Sequence, residues 1–195
     1  MEWCQVRRNP ERREALVDGA IEVLAQEGAR GLTFRAVDVQ AQVPPGTASN
    51  YFVNRDDLLT QAGGRIYERL TPDREVFVDV LYGHHDVAHL TRVMRETVER
   101  VATFRTGFLA LLELRLEATR RPELRRVLTE RVRADLRFNV ENHLESGMPG
   151  DETTVELLYS GLNWMILDRL TLPDLFDDEH LDRLAAAAVE RSLPR

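Results

Sequence analysis

A run of small polar residues between two helical segments is the stretch best suited to binding. It reads "VPPGTASNYF" over residues 43–52, with two prolines, then glycine, hydroxyl and amide residues, and two closing aromatics. Glycine and short hydroxyl side chains near a helix N-terminus present backbone N–H groups and compact donors, which suit a phosphate-lined groove. An ordinary helical hairpin with a polar surface would have the same spacing.

The histidines of "HHDVAH" are the candidate metal ligands. His85 and His89 are four residues apart and would share one helical face, but no glutamate follows in the zinc-hydrolase pattern, and Asp86 more naturally caps the helix. Whether His84, His85 and His89 bind a metal stays open, and we predict no metal site and no cofactor. The sequence has no nucleophile elbow, phosphate-binding glycine loop or paired-carboxylate pattern, so we expect no enzymatic activity.

Length and composition indicate a folded protein of the cytoplasm. The chain has 195 residues, of which 43% are hydrophobic, enough for one sizeable core or a small domain fused to a larger one. No uncharged apolar run approaches the roughly 20 residues that span a bilayer, and the N-terminus has no apolar signal core, so we expect no membrane association. A lone Cys4 permits no internal disulfide, which fits a reducing compartment.

Charge is unevenly distributed along the chain. The net charge is −7, yet residues 1–55 contain seven arginines and seven acids and are neutral. Four of those arginines, Arg7, Arg8, Arg12 and Arg13, precede the first helix, where a flexible arm would neutralise phosphates. A solvated helix start explains the same cluster.

The N-terminal quarter predicts three helices. The first ends at Gly28, and Thr33 caps a second, short helix. Pro44 and Pro45 stop that helix, and Pro45 is tolerated in the first turn of a third helix that runs to about Phe52. Tyr51 and Phe52 pack inward with Ala48, which leaves a small, uncharged outer face. Helix, tight turn and short helix form a helix-turn-helix.

Residues 32–59, "LTFRAVDVQAQVPPGTASNYFVNRDDLL", resemble the DNA-binding signature of TetR-type bacterial transcriptional regulators. With the first helix, the resemblance covers about 45 residues. The matching positions are Thr33, Val43, Gly46, Thr47, Tyr51, Phe52, Arg55, Leu58 and Leu59. By this resemblance, Thr33, Thr47, Tyr51 and Arg55 hold phosphates, Arg35, Pro45, Ser49 and Asn50 lie nearest the base edges, and Gly46 belongs to the same DNA-binding face.

Three departures from the family pattern leave the target sequence open. Gln42 stands where the family prefers glycine, and a left-handed conformation there costs a non-glycine residue about 1 to 2 kcal/mol. Asp38 replaces a small alanine, and Ser49 replaces a common aromatic. Since only Arg35 offers bidentate guanine recognition, we expect readout partly through thymine methyls and DNA shape.

Helical segments fill the rest of the chain, at roughly 86–104, 106–119, 122–146, 152–171 and 178–191, with breaks near 83, 107, 122, 147–151 and 173–178. Segment 122–146 has one apolar stripe, Leu124, Leu128, Val132, Leu136, Val140 and Leu144, and so buries one face. Segment 152–171 is apolar nearly all round. The TetR resemblance implies that these two helices pair with their mates in a four-helix dimer interface, although burial within one subunit would give the same pattern.

The resemblance also implies a small-molecule pocket in the C-terminal helices. The candidate liners combine bulky aromatics with a few polar groups, although each also suits a simple core: Tyr82, Phe104, Phe108, Leu111, Tyr159, Asn163 and Trp164. Such a set indicates an aromatic or largely apolar effector.

These observations predict an all-α protein with a three-helix helix-turn-helix domain at 1–55 and a larger helical regulatory domain at 56–195, linked by a helix at about 56–70. We expect a homodimeric repressor that binds a palindromic double-stranded DNA operator and is released by a small molecule. The alternative is a helical ligand- or metal-binding protein whose helix-turn-helix no longer reads DNA. The operator, the effector, the regulated genes and the choice between repression and activation are not encoded in these patterns.

Overall fold

The computed structural model describes residues 9–70 and 86–194, and the regular structure of this part of the chain is helical throughout. The predicted all-α fold is therefore confirmed. The described helices are α1 (Pro10–Gly31), α2 (Phe34–Gln40), α3 (Ala48–Tyr51), α4 (Arg55–Leu70), α5 (Val87–Thr103), α6 (Arg105–Ala118), α7 (Pro122–Glu145), α8 (Glu152–Thr171) and α9 (Asp178–Ser192).

Helix α1 is bounded and bent by its own sequence. The Asn9 side chain accepts a hydrogen bond from the Glu11 amide at 3.0 Å, and Pro10 occupies the first helical turn, where no N–H is needed. Gly28 then leaves helical geometry at φ 69° and ψ −177°, a combination open essentially to glycine alone. The predicted stop at Gly28 is thus a break, after which one further turn runs to Gly31.

Helix α3 is shorter than the sequence predicts. The expected start at Pro45 is wrong, because Gly46 has φ 87° and interrupts right-handed helical geometry, so the helix begins at Ala48. The predicted cap of α2 is confirmed, since the Ala36 amide donates to Thr33 Oγ1 at 3.1 Å. The predicted inward packing of Tyr51 and Phe52 is confirmed as well, at 7% and 2% exposure.

Helices α5 to α9 lie within about two residues of their predicted ranges. Two details differ. The break expected at Gly107 lies at Phe104, and Gly107 is buried inside α6. The apolar stripe of α7 is only partly buried: Leu124 and Leu128 are enclosed, whereas Leu144 is 54% exposed. Asp86 caps α5 as expected, accepting from the His89 amide at 2.7 Å.

Two compact units account for the described residues. The first joins the residues up to Arg69 with Thr106–Thr129, and so includes α1 to α4, α6 and the first residues of α7. Within it, α1 packs on α2 and α2 on α3. The second comprises the described residues of Leu70–Arg105 and Glu130–Arg195, where α5, α8 and α9 pack on one another. The first unit is therefore discontinuous in sequence.

Several predicted features fall outside the described residues: Cys4, Arg7, Arg8, Tyr82, His84, His85 and the interruption at Pro72. Within residues 9–70 and 86–194, no helix combines the length and apolarity needed to cross a membrane.

Candidate nucleic-acid interface and effector site

A buried carboxylate fixes the turn between α2 and α3. Asp38 is 2% exposed, and its two oxygens accept hydrogen bonds from the Gly46 and Ala48 amides, each at 2.7 Å. These bonds satisfy amides just before and at the start of α3, so Asp38 sets where α3 begins relative to α2. Sequence reasoning treated this acid only as a departure from alanine. An acid on the inner face of α2, eight residues before a glycine, was the available signal.

Gln42 adopts the left-handed conformation that its position requires. Its φ is 54°, the one positive value at a non-glycine residue of the described chain. The turn is closed around it, because the Val43 amide donates to the Asp38 carbonyl at 3.0 Å. Gln42 therefore keeps the left-handed conformation at the position where the family prefers glycine, and the strain weighed from the sequence is present.

The outer face of the turn and α3 is small and polar. Ser49 Oγ and Asn50 Nδ2 both donate to the Gly46 carbonyl, at 2.8 and 3.0 Å. Thr47 Oγ1 donates to the Pro44 carbonyl at 2.5 Å. These local bonds hold the side chains in fixed positions on the exposed surface, where they remain accessible to a partner.

A groove of about 450 Å³ lies between α2 and the turn. The structure brings three of the predicted DNA-binding residues together there, since its lining consists of Phe34, Arg35, Asp38, Pro45 and Gly46. Arg35 is exposed at this groove. The arrangement places one guanidinium beside an uncharged backbone turn.

The residues predicted to hold phosphates differ in their surroundings. Thr33 is exposed at the N-terminus of α2, while Tyr51 is buried apart from a small fraction of its surface. Arg55 is turned inward: its Nε donates to the Leu32 carbonyl at 3.1 Å, and its Nη2 donates to the Ala29 carbonyl. Arg55 thus satisfies carbonyls at the end of α1, where a cation also interacts favourably with the helix dipole.

Arg13 also packs against the protein. Its guanidinium lies 5.3 Å from the centre of the Phe52 ring, and its Nε donates to Gln61 Oε1 at 2.8 Å. This is a cation–π contact combined with a hydrogen bond. Of the four arginines in the predicted arm, Arg13 is therefore part of the packed first unit and does not belong to a free arm.

A second cleft in the first unit, of about 560 Å³, is rich in arginine. Its lining is Arg30, Arg55, Asp56, Glu117, Arg120, Arg121 and Pro122. Arg121 bonds to Glu117 at 2.8 Å and also to Asp56, and Arg120 bonds to Glu117 at 3.1 Å. The hydrogen bond from Arg121, more than any other contact, lowers the pKa of Glu117. Four cations face two carboxylates, so the cleft is positive in an acidic protein. Sequence reasoning missed it, since its residues come from three distant segments.

The second unit contains a cluster of three polar side chains, one from each of three helices. Tyr159 on α8 donates its hydroxyl proton to Asp135 Oδ2 on α7 at 2.9 Å. Burial raises the pKa of Asp135, while Tyr159 and Arg100 on α5 act in the opposite direction. The Asp135 side chain nevertheless remains accessible to solvent. Only Tyr159 of this group was singled out from the sequence.

The other predicted ligand-lining residues divide between the units. Phe108 and Leu111 are buried on α6 in the first unit. Phe104 and Asn163 are half-buried in the second, where Asn163 donates to the Tyr159 carbonyl at 2.8 Å. Trp164 is 64% exposed. The described members of the set thus belong to two different compact units, and their role in ligand binding stays a prediction.

Exposed apolar side chains occupy both helices predicted to form a dimer. On α8, Leu157 is 58% exposed and lies seven residues before Trp164, on the same face. On α7, Phe138 and Leu144 are 38% and 54% exposed. Large apolar groups exposed together in this way are typical of a protein interface.

Comparison with protein families gives two matches. Residues 16–62 match the model described as bacterial regulatory proteins, tetR family. Residues 85–195 match the tetracyclin repressor-like C-terminal domain. Together they cover the helix-turn-helix and most of the second unit. Comparison with curated protein sequences gave no significant match.

Solved structures share the fold along nearly the whole chain. The multidrug binding protein EbrR, complexed with imidazole, is 30% identical with a TM-score of 0.66, and 96% of this chain matches 97% of that one. A member of the TetR family from Streptomyces coelicolor A3 is 29% identical with a TM-score of 0.70, covering 95% of this chain and 100% of the other. A transcriptional regulator from Rhodococcus sp. Rha1, 19% identical, has a TM-score of 0.76 over 92% and 94% of the two chains.

Proposed function

Since the chain belongs to the TetR family and is a DNA-binding transcriptional regulator, we propose that it acts as a homodimeric repressor, released from a palindromic operator by a small aromatic or largely apolar molecule. The observation that carries the DNA-binding part is the turn fixed by Asp38, which presents an exposed, uncharged face between Arg35 and Asn50. A compact face of this kind can enter the major groove without a steric or charge penalty.

In this proposal the predicted DNA-binding residues have different tasks. Thr33 and Thr47 contact phosphates, while Arg35 reads a guanine across the groove that it shares with Pro45 and Gly46. Ser49 and Asn50 contact base edges from positions set by their bonds to the Gly46 carbonyl. Arg55 acts indirectly, by holding the end of α1 against the start of α4. Tyr51 anchors α3 and offers at most its hydroxyl edge to a phosphate.

The exposed apolar residues of α7 and α8 support the dimer. Burial of Leu157 and Trp164 against a second copy would remove both from water, at about 25 cal/mol per Å² of apolar area. A twofold dimer would present two copies of α3 to two half-sites, as a palindromic operator requires. Trp164→Glu places a charge at this face, and sedimentation at micromolar concentration should then find a monomer; a variant that stays dimeric refutes this interface.

The second unit supports an effector site. Phe104, Tyr159 and Asn163 are all half-buried there, and Tyr159 donates to Asp135. Solved complexes of the similar protein EbrR contain ethidium or proflavin, which are flat aromatic molecules. We therefore expect aromatic compounds to change the tryptophan fluorescence of this protein and to weaken its DNA binding. Release of the operator only by small polar compounds would refute the proposed effector class.

A fluorescence-polarisation assay tests the DNA-binding role. The operator is first selected from random double-stranded DNA and then titrated with wild-type protein, Arg35→Gln and the control Arg183→Gln on α9. Loss of a bidentate guanine contact should cost Arg35→Gln about 1 to 3 kcal/mol at each half-site and relax specificity at one base pair per half-site, with no change in the control. Folded wild-type protein that selects no sequence would favour the alternative, a ligand-binding protein that no longer reads DNA.

A further inference from the structure

We propose that Arg30 and Arg120, at the arginine-rich cleft of the first unit, bind the DNA backbone beside the segment held by the helix-turn-helix. This inference rests on the proposed operator binding and adds a contact from the turn between α6 and α7, outside the helix-turn-helix sequence. The partner is the phosphate backbone of duplex DNA, and no base is read.

Two hydrogen bonds orient α6 within the unit. Thr106 Oγ1 donates to Glu22 Oε1 at 2.9 Å, and Glu113 Oε2 accepts from the Ala29 amide, also at 2.9 Å. From the first pair to the second, the position moves seven residues towards the C-terminus on both helices, so α6 runs parallel to α1. Arg120 follows the end of α6 and therefore lies at the same end of the unit as Arg30, where the chain continues to Thr33 and the DNA-facing start of α2.

Two of the four arginines in the cleft are already engaged by the fold. Arg55 bonds to carbonyls of α1, and Arg121 bonds to Glu117 and to Asp56. Arg30 and Arg120 remain. Arg30 is exposed and forms no hydrogen bond or ion pair with another residue of the described ranges. The Arg120 side chain is 70% exposed, and within residues 9–70 and 86–194 its one ion pair is with Glu117, which Arg121 also neutralises. Their charges are thus available to an anion.

The surroundings favour phosphate over a carboxylate-bearing protein surface. Helices α4 and α7 both begin at the cleft, at Arg55 and Pro122, and their N-termini add positive potential to that of the arginines. Guanidinium groups match phosphate oxygens in a bidentate geometry. The lining residue Arg55 also bonds to the carbonyl of Leu32, the residue before Thr33, a predicted phosphate contact, so we expect a DNA duplex seated on α3 to continue past the cleft.

The salt dependence of DNA binding tests the inference. Arg30→Gln, Arg120→Gln, the double variant and the control Arg183→Gln are titrated by fluorescence polarisation against a selected operator with several extra base pairs on each side. Each phosphate contact makes the slope of log K against log salt more negative by about 0.9, so each single variant should make the slope of a dimer less steep by about 1.8. Between 50 and 200 mM salt, the affinity of each single variant should therefore fall by roughly 12-fold less than the affinity of the wild type.

Each outcome separates this inference from the proposed function. Less steep salt dependence in the variants, with unchanged base preference and unchanged melting temperature, supports the inference. The support is stronger if trimming the flanking base pairs removes the difference in slope between variant and wild type. Sequence-specific wild-type binding with equal slopes in all variants overturns the inference alone. Loss of preference at particular base pairs also overturns it, because Arg30 or Arg120 would then read bases. Absence of any DNA binding by the wild type overturns both proposals.

Discussion

Replacing Asp38 by alanine should destabilise the protein severely. Its carboxylate accepts two hydrogen bonds of 2.7 Å from the amides of Gly46 and Ala48, in a site that is 2% exposed. A hydrogen bond to a charged group is worth about 1.5 to 3 kcal/mol, so the loss of both costs about 3 to 6 kcal/mol. Domains of this size are stable by only about 5 to 15 kcal/mol, so Asp38→Ala lies near the limit of folding.

Urea unfolding followed by circular dichroism measures this loss. Asp38→Asn keeps the side-chain volume and one acceptor oxygen. Its loss of unfolding free energy should be about half that of Asp38→Ala, so the variant should stay folded and its stability can be measured. Gln40→Ala, at an exposed position of the same helix, is the matched control and should stay within about 0.5 kcal/mol of wild type. The reasoning is refuted if Asp38→Ala unfolds within about 0.5 kcal/mol of wild type at an unchanged denaturant dependence.

Three further substitutions test backbone strain at two positions and the raised pKa of one carboxylic acid. Gln42→Gly should stabilise by roughly 0.5 to 1 kcal/mol, because it relieves a left-handed φ of 54° at the cost of a more flexible unfolded chain; an unchanged urea midpoint would contradict this. Gly28→Ala should cost about 1 to 3 kcal/mol at φ 69° and ψ −177°, as urea unfolding would show, and a neutral result would mean that the break is relaxed. Burial raises the pKa of Asp135 in the fold, so protonation of this group stabilises the protein in acid and that contribution is lost as the pH rises through the folded-state pKa. Asp135→Asn, which keeps an acceptor for Tyr159, should therefore raise the melting temperature at pH 7 and change it little in acid; a lower melting temperature at pH 7 would show that the charge is needed.

Features with local causes could be predicted from the sequence. Thr33 and Asp86 each accept from the amide three residues ahead, and a pattern a few residues long contains all the information for such a cap. The strain at Gln42 was indicated only by the family resemblance, which has glycine at that position. The helix ranges follow from periodicity between glycine and proline breaks.

Features with distant causes could not be predicted. Asp38 bonds to amides across a turn, and its burial appears only when α3 is seated. Arg55 turns inward because the end of α1, more than twenty residues earlier in the chain, offers free carbonyls. The partner of Tyr159 is Asp135, on another helix. Single-sequence patterns report spacing within an element, whereas each of these positions depends on which elements meet.

The discontinuous first unit has a consequence for how such regulators are recombined. Glu22 and Ala29 on α1 have their partners at Thr106 and Glu113, so a fragment cut after α4 would expose the buried side of α1 and leave the Ala29 amide without its acceptor. A chimera that exchanges DNA specificity should therefore transplant α6 together with α1 to α4, or keep α6 and exchange only the surface residues around α3. In this protein the exchangeable part is defined by contacts in space, and a single crossover point in the gene would divide it.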